Sequence, residues 1–232
     1  MPSTEHVPAA ARRVVGIDGS RAGWVAVVLE AGYAGADGDR SIAALVERHP
    51  DAAAVGVDMP IGLPHEGARD CDIAARSFIG KRRSSVFLAP PQGVLDAQSY
   101  SDAVAASVEP AGAGVSQQAY ALRARIAEVA ALVEIDSRVI EVHPEVSFWA
   151  MAEVEVEFSK HTWNGHRQRL ALLSNEGIEL PKGALQDLAG RAGVDDVVDA
   201  AAAAWSAARY AARAAKPLPE GAQPGDRPVI WY

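Results

Sequence analysis

Two short apolar runs of this sequence each end in an aspartate: Val14-Val15-Gly16-Ile17-Asp18 and Ala54-Val55-Gly56-Val57-Asp58. A third run, Val139-Ile140-Glu141-Val142, carries an acid within it. Short apolar runs bounded by turn residues are typical of buried strands. Because burial of an isolated carboxylate is costly, these acids need partners or a cation. The chain is therefore expected to form a sheet whose neighbouring strands bring their acids to one edge.

The remaining pattern predicts helices around such a sheet. A Gly-bearing turn between the first run and residues 24–29 predicts an antiparallel hairpin. Ser41 and Ser116 are placed to cap helices, the second with apolar residues at helical spacing. An Ala-rich helix is predicted from Val194 to about Ala215, and the last four residues are predicted to form an edge strand or a docked terminus. The order hairpin, helix, strand, helices, strand and long helix predicts an α/β domain with a mixed β-sheet flanked by helices.

Composition limits the classes of protein that this chain can belong to. The 232 residues are 49% apolar, which excludes a disordered chain, and the net charge of −8 argues against non-specific coating of nucleic acid. The single cysteine, Cys71, excludes an intramolecular disulfide framework. We expect a loose leader over residues 1–12 and one domain over 13–232 with a helical or irregular insertion around 64–115. We also expect no membrane partner and a cytoplasmic location.

The acids of the three runs are joined by a helical pair, Asp196 and Asp199, spaced i, i+3. If the pair faces the strands, the set supplies the oxygen ligands that Mg²⁺ or Mn²⁺ requires. Two such ions ~4 Å apart activate a water and stabilise the leaving oxygen of a phosphodiester. The alternative is that Asp18 only shapes a turn, Asp58 only ends a strand and Asp196 only caps a helix. For the set together, the metal site is favoured.

A second group of residues is basic and lies between residues 69 and 91. Its cations are Arg69, Arg76, Lys81, Arg82 and Arg83. Guanidinium groups bind phosphate oxygens in pairs, and the hydroxyls of Ser84 and Ser85 can add hydrogen bonds. We expect Arg76, Arg82 and Arg83 at the rim of the acidic site. An equally favoured alternative to phosphate binding is that this segment is an exposed loop whose cations pair with acidic residues elsewhere on the surface.

His143 and Glu145 follow the third predicted strand directly. A histidine at this position can move protons or bind a metal, which makes the two residues accessory candidates. A structural histidine bonded to a backbone carbonyl is the favoured alternative. Cys71, beside two acids, is expected to have a raised thiol pKa and is not a candidate nucleophile.

Several of these motifs, in the same order, resemble the domain of unknown function 429 family. The matching motifs are Val14 to Gly19 with Gly23-Trp24, Val57-Asp58-Met59-Pro60-Ile61-Gly62-Leu63, Arg69-Asp70-Cys71-Asp72 with Ala75-Arg76, Ser84-Ser85-Val86-Phe87, Glu141-Val142-His143-Pro144-Glu145, and Asp195-Asp196-Val197-Val198-Asp199-Ala200. The resemblance covers about residues 14–212. It implies a nuclease with an RNase H-like fold. The segment around Asp196 and Asp199 is also similar to the last acidic motif of Holliday-junction resolvases of that fold.

The expected function is metal-dependent phosphodiester hydrolysis by two metal ions, with a nucleic acid or a nucleotide phosphate as the substrate. The candidate metal ligands are Asp18, Asp58, Glu141, Asp196 and Asp199, of which all but Asp196 are candidate catalytic residues. The candidate substrate-binding residues are Arg69, Arg76, Arg82, Arg83 and Ser84. Two alternatives remain open: an actin-like phosphotransferase or ATPase, and a non-catalytic binding module that keeps the acids for its structure.

Overall fold

The centre of the structure is a seven-stranded β-sheet. The computed structural model describes residues 12–111, 114–183, 185, 188 and 192–232. The strands are β1 (Val14–Ser20), β2 (Gly23–Leu29), β3 (Tyr33–Asp39), β4 (Val55–Val57), β5 (Val139–Val142), β6 (Pro217–Leu218) and β7 (Ile230–Trp231). They lie in the order β3-β2-β1-β4-β5-β7-β6, with β1, β4, β5 and β7 parallel and the others antiparallel to their neighbours. The predicted α/β class is therefore confirmed, and β1 and β4 are direct neighbours.

Helices cover both faces of this sheet. They are α1 (Ile42–Glu47), α2 (Asp70–Phe78), α3 (Tyr100–Ala111), α4 (Gln117–Val133), α5 (Pro144–Ala152), α6 (Trp163–Asn175) and α7 (Val194–Ala211). The hydroxyls of Ser41 and Ser116 accept hydrogen bonds from backbone N–H groups three residues on, so both predicted helix caps are confirmed. The helices α1 and α4 pack on one face of the sheet, against Ile17 and Val57, and α7 packs on the other.

The long helix α7 lies almost in contact with the backbone of the sheet. A Cβ atom at Gly16 would lie 2.0 Å from the amide nitrogen of Ala204, and one at Gly56 would lie 2.6 Å from the carbonyl oxygen of Ala203. Residues 200–204 of the helix are all alanines with no exposed surface, and their short side chains permit this approach. The approach places the first two turns of α7 beside the carboxyl-terminal ends of β1 and β4.

Some elements differ from the prediction. The edge strand β3 was not predicted, because its Ala-, Gly- and Asp-rich sequence has little strand preference and pairs with β2 through the backbone. The helix α6 occupies a polar stretch without a clear apolar period. The C-terminal strand β7 lies between β5 and β6, so the alternative of an edge strand there is wrong.

The segment 64–115 contains α2, α3 and two 3₁₀ helices, Gly80–Ser85 and Gln92–Val94. It contributes no strand among the residues described in it. The predicted leader, except for Arg12, lies outside the described residues. Within the described part of the chain, every helix is too short or too polar to cross a membrane.

The glycine contact under α7 can be tested by adding a single methyl group. Gly16→Ala forces the new Cβ atom into the backbone of α7, so we expect a loss of about 3 kcal/mol or more in the free energy of unfolding. Gly35→Ala, in β3, is the matched control, because its Cβ atom would have no neighbour within 4 Å. Urea denaturation followed by circular dichroism measures both. Equal stability of the two variants would contradict the close approach of α7.

Candidate functional site

Three aspartates meet where β1, β4 and α7 come together. Successive residues of a strand face opposite sides of a sheet, and Gly16 and Gly56 face α7. Asp18 and Asp58, each two residues further along, therefore face α7 as well. The backbone N–H of Asp58 donates to the carbonyl oxygen of Ile17 at 3.0 Å, which continues the parallel pairing. Asp199 lies in the second turn of α7 and is 2% exposed.

These carboxylates line a cleft with a volume of about 530 Å³. Its acidic lining residues are Asp18, Asp58, Glu145, Asp196 and Asp199, and its lysine and arginine residues are Arg82, Arg125 and Lys160. Acids thus outnumber permanent cations. The cleft lies at the carboxyl-terminal ends of parallel strands, which is where α/β sheets commonly bind ligands.

Burial and mutual repulsion keep these acids from ionising at their usual pH. Burial raises the pKa of Asp18 well above its ordinary value, and the charges of Asp58 and Asp199 raise it further. Burial raises the pKa of Asp58 to about 7 and that of Asp199 to about 6, in each case against the opposing effect of Lys160. The cleft therefore favours any added positive charge.

Lys160 provides part of that charge. Its Nζ lies 2.6 Å from Oδ2 of Asp199, and although burial acts to lower the pKa of this ammonium, its acidic neighbours raise it overall. The second oxygen of Asp199, Oδ1, is buried and accepts no hydrogen bond from the described residues. The ammonium of Lys160 thus faces three carboxylates, and Oδ1 of Asp199 has no hydrogen-bond donor among the described residues. This donor set fits a hard divalent cation such as Mg²⁺ or Mn²⁺.

Glu145 and His143 lie at the start of α5 and also line the cleft. Glu145 is buried and accepts a hydrogen bond of 2.6 Å from Arg169, and Arg82 approaches its other oxygen at 3.7 Å. Burial lowers the pKa of His143, whose Nδ1 is buried and bonds to none of the described residues. The imidazole is therefore neutral at neutral pH, and Glu145 is held in ion pairs rather than free as a ligand.

Asp196 lines the cleft but serves in part as a helix cap. Its Oδ2 accepts a hydrogen bond of 2.8 Å from the backbone N–H of Gly193. Its other oxygen has no bond of this kind within the described chain. The helix-capping role that the sequence offered as an alternative for Asp196 is therefore filled by one of its two oxygens.

The structure does not bring Glu141 to this cleft. Glu141 pairs with Val57, one position before Asp58, so its side chain lies on the opposite face of the sheet from Asp18 and Asp58. Its two oxygens accept hydrogen bonds from Arg69 at 2.7 and 2.8 Å, and one also accepts from the backbone N–H of Ile61 at 2.6 Å. The expectation that Glu141 joins the three aspartates in one ligand set is therefore corrected.

Arg69 is likewise absent from the lining of the cleft. It is buried between Glu141 and Asp72, and it also donates to the carbonyl oxygens of Ile61 and Gly62. Cys71, Asp72 and Glu141 are close enough to one another to share a metal ion. However, all four carboxylate oxygens there already accept hydrogen bonds, and burial raises the pKa of the Cys71 thiol. In this cluster, the guanidinium of Arg69 supplies the positive charge that a metal ion would otherwise supply.

The rest of the basic segment divides in two. Arg82, Ser84 and Ser85 line the cleft. Arg76 instead donates to the carbonyl oxygen of Val86 at 2.7 Å, and Arg83 is an exposed residue outside the lining of the cleft. Of the three arginines predicted at the rim, the structure places Arg82 there.

Sequence reasoning missed Lys160 and Arg125. Lys160 lies in a polar stretch whose sequence carries no spacing signal, so nothing local identifies it. Arg125 follows Leu122 by three residues and precedes Ile126 on the apolar stripe of α4. A charge within such a stripe is a usable signal, because a buried helix face excludes arginine unless the side chain has a polar destination.

A family model described as "Protein of unknown function (DUF429)" matches residues 16–223. The match covers most of the chain and includes every carboxylate of the cleft. The chain belongs to the DUF429 family. Among curated proteins and among solved structures, none matches this DUF429 chain with significant similarity.

The raised pKa values make a prediction about pH. Asp58 and Asp199 bind protons with pKa values of about 7 and about 6 in the folded chain, against 3.8 for an ordinary aspartate. The folded state then holds more protons than the unfolded state in this range, so stability falls as the pH rises from about 4 to 7. In chelator, we expect the melting temperature to decrease from pH 5 to pH 8, and less steeply for Asp58→Asn. Asp96→Asn, at an exposed site, should follow the wild type, and parallel curves for all three proteins would contradict this assignment.

The Arg69 cluster is expected to act in stability rather than at the cleft. Glu141→Gln leaves the buried guanidinium with one carboxylate partner, so we expect a loss of about 3 kcal/mol in the free energy of unfolding. The change in melting temperature on adding Mn²⁺ should match that of the wild type. If a folded Glu141→Gln protein were no longer stabilised by Mn²⁺, Glu141 would have to be a metal ligand after all.

Proposed function

We propose that this cleft hydrolyses phosphodiester bonds with the help of bound Mg²⁺ or Mn²⁺, as a metal-dependent nuclease with an RNase H-like fold. The observation that carries the proposal is the meeting of Asp18, Asp58 and Asp199 in one cleft, where burial and the neighbouring carboxylates raise their pKa values. The mixed sheet supports the fold assignment, because an antiparallel hairpin is extended by parallel strands that carry the acids.

The charge of the cleft supports a metal-dependent reaction. An anionic phosphodiester would be repelled by a lining in which acids outnumber lysine and arginine residues. Asp18, Asp58 and Asp199 would hold the ions, with Asp196 in reserve. Divalent ions, when bound, lower the pKa of a coordinated water and stabilise charge on the leaving oxygen.

The other residues of the cleft would orient the substrate and move protons. Arg82, Ser84 and Ser85 line the cleft, and their guanidinium and hydroxyl groups would donate to the oxygens of a phosphate. The neutral imidazole of His143 is in a form that accepts a proton. Lys160 would move from Asp199 toward the substrate once the carboxylates are neutralised. The substrate would be a nucleic acid or a nucleotide phosphate, and the reaction would take place in the cytoplasm.

The decisive variant is Asp18→Asn, which keeps the size of the side chain and the Oδ1 that accepts from the N–H of Gly19 at 2.7 Å. In the wild type, we expect saturating Mn²⁺ to raise the melting temperature by about 5–10 °C and to support cleavage of a mixed set of DNA and RNA oligonucleotides. Asp18→Asn should lose both effects while keeping its circular dichroism spectrum.

Asp96→Asn is the matched control and should keep the stabilisation and the cleavage, because Asp96 is exposed and lies outside the cleft. Cleavage that survives in Asp18→Asn, or in excess chelator, would refute the metal-dependent mechanism. A wild-type chain without any response to metal would point instead to the binding-module alternative.

A further inference from the structure

The cleft has a second wall, opposite the aspartates, that the proposed chemistry does not use. Gln118, Leu122 and Arg125 line the cleft from α4 at spacing i, i+4 and i+7, so they share one face of that helix. Because α4 and α7 pack on opposite faces of the sheet, this face lies across the cleft from the α7 carboxylates. We refer to these three residues, together with Phe87, as the α4 wall.

Arg125 brings a positive charge to this wall without a matching acid. Its guanidinium donates to the carbonyl oxygen of Ser20 and lies 5.7 Å from the ring centroid of Trp24. A Cβ atom at Gly19, next to Asp18 in β1, would lie 2.6 Å from Nη1, so the guanidinium packs closely against the backbone of this strand. Lys160 and Arg82 have carboxylate partners, whereas Arg125 forms no ion pair within the described residues. Its charge is available to an anionic group in the cleft.

Beside Arg125 the wall is apolar and ends in an amide. Leu122 and Phe87 are both half-buried residues of the lining, and Gln118 is exposed at the first turn of the helix. A nucleobase has the same division, with an apolar face that stacks on aromatic side chains and a polar edge that bonds to amides. The volume of about 530 Å³ lies in the range of pockets for small ligands.

We propose that the α4 wall binds one unpaired nucleotide of a single-stranded substrate. The base lies against Phe87 and Leu122, the amide of Gln118 meets its polar edge, and Arg125 holds the phosphate next to the scissile one. This inference rests on the proposed function and narrows its substrate class to single strands and short oligonucleotides. A base pair would occupy the edge that Gln118 reads, and the acidity of the chain disfavours the phosphate density of a duplex.

The first test compares two arginines of the same helix. Arg123 lies over the ring of Tyr120, with its guanidinium carbon 4.0 Å from the ring centroid, and is outside the lining of the cleft. Binding of a fluorescent six-nucleotide single strand, as DNA and as RNA, is measured by anisotropy in Ca²⁺ at several salt concentrations. Arg125→Gln should weaken binding about tenfold and reduce the salt slope by about 0.7, as for one lost phosphate contact. Arg123→Gln should match the wild type.

The second test isolates the base. Phe87→Leu keeps an apolar side chain but removes the aromatic face, so we expect binding of the intact strand to weaken about tenfold. Binding of the same strand built with base-free sugars should be unchanged by Phe87→Leu and already weaker in the wild type. If Arg125→Gln does not fold, Phe87→Leu with the two strands decides alone.

The outcomes separate this inference from the proposed function. The α4 wall is refuted if Arg125→Gln and Arg123→Gln bind alike, if the base-free strand binds as well as the intact one, or if a duplex of the same length binds more tightly than the single strand. Stabilisation by Mn²⁺ depends on Asp18 and not on this wall, so its persistence in such results would leave the proposed hydrolysis standing. Strand binding that depends on Arg125 and Phe87, in a chain without metal response or cleavage, would support the wall and refute the hydrolysis.

Discussion

The contact between α7 and the backbone of β1 and β4 determines where the three aspartates of the cleft lie. Because Gly16 and Gly56 have no side chains, the helix rests on the strands themselves, with alanines facing them. A helix held at this distance has little freedom to slide or rotate, since either motion would bring backbone atoms together. The packing of α7 thereby fixes Asp199 opposite Asp18 and Asp58, although the three carboxylates do not attract one another. The packing in fact holds together three groups that repel one another.

The sheet separates two groups of buried acids that are compensated differently. On the α4 face, Glu141 and Asp72 surround the guanidinium of Arg69, and every carboxylate oxygen has a donor. On the α7 face, three aspartates share the ammonium of Lys160, and one oxygen of Asp199 has no donor among the described residues. Full satisfaction is the mark of a structural cluster, whereas incomplete satisfaction in a cleft indicates a place for a ligand. The number of satisfied carboxylate oxygens thus distinguishes the structural cluster around Arg69 from the aspartates of the cleft.

The sequence contained the framework of the fold and part of the site. The apolar runs predicted β1, β4 and β5, and the helix caps at Ser41 and Ser116 were confirmed, because these features depend on local periodicity and hydrogen bonding. The side on which an acid lies depends on register: Glu141 is level with Val57 and Asp58 is one residue further, a difference that the sequence does not reveal before the strands are aligned. Lys160 was missed for another reason, since its position depends on a loop joining α5 to α6.

The loop that carries Lys160 is itself firmly anchored. The hydroxyl of Thr162 donates to the carbonyl oxygen of Ser159 at 2.8 Å, and the buried Arg169 donates to that of Phe158 at 3.1 Å. A Cβ atom at Gly165 would lie 1.9 Å from the oxygen of Ser159, so α6 presses directly on the loop. The ammonium is thus held in place by contacts of its own loop and of α6. Many small metal-binding domains remain unfolded until their ion arrives. Here the ammonium of Lys160, tethered by the chain, supplies positive charge beside the aspartates. The proposed metal-dependent reaction therefore implies that the chain folds first and takes up its ions second, with Lys160 as the group that an incoming ion displaces.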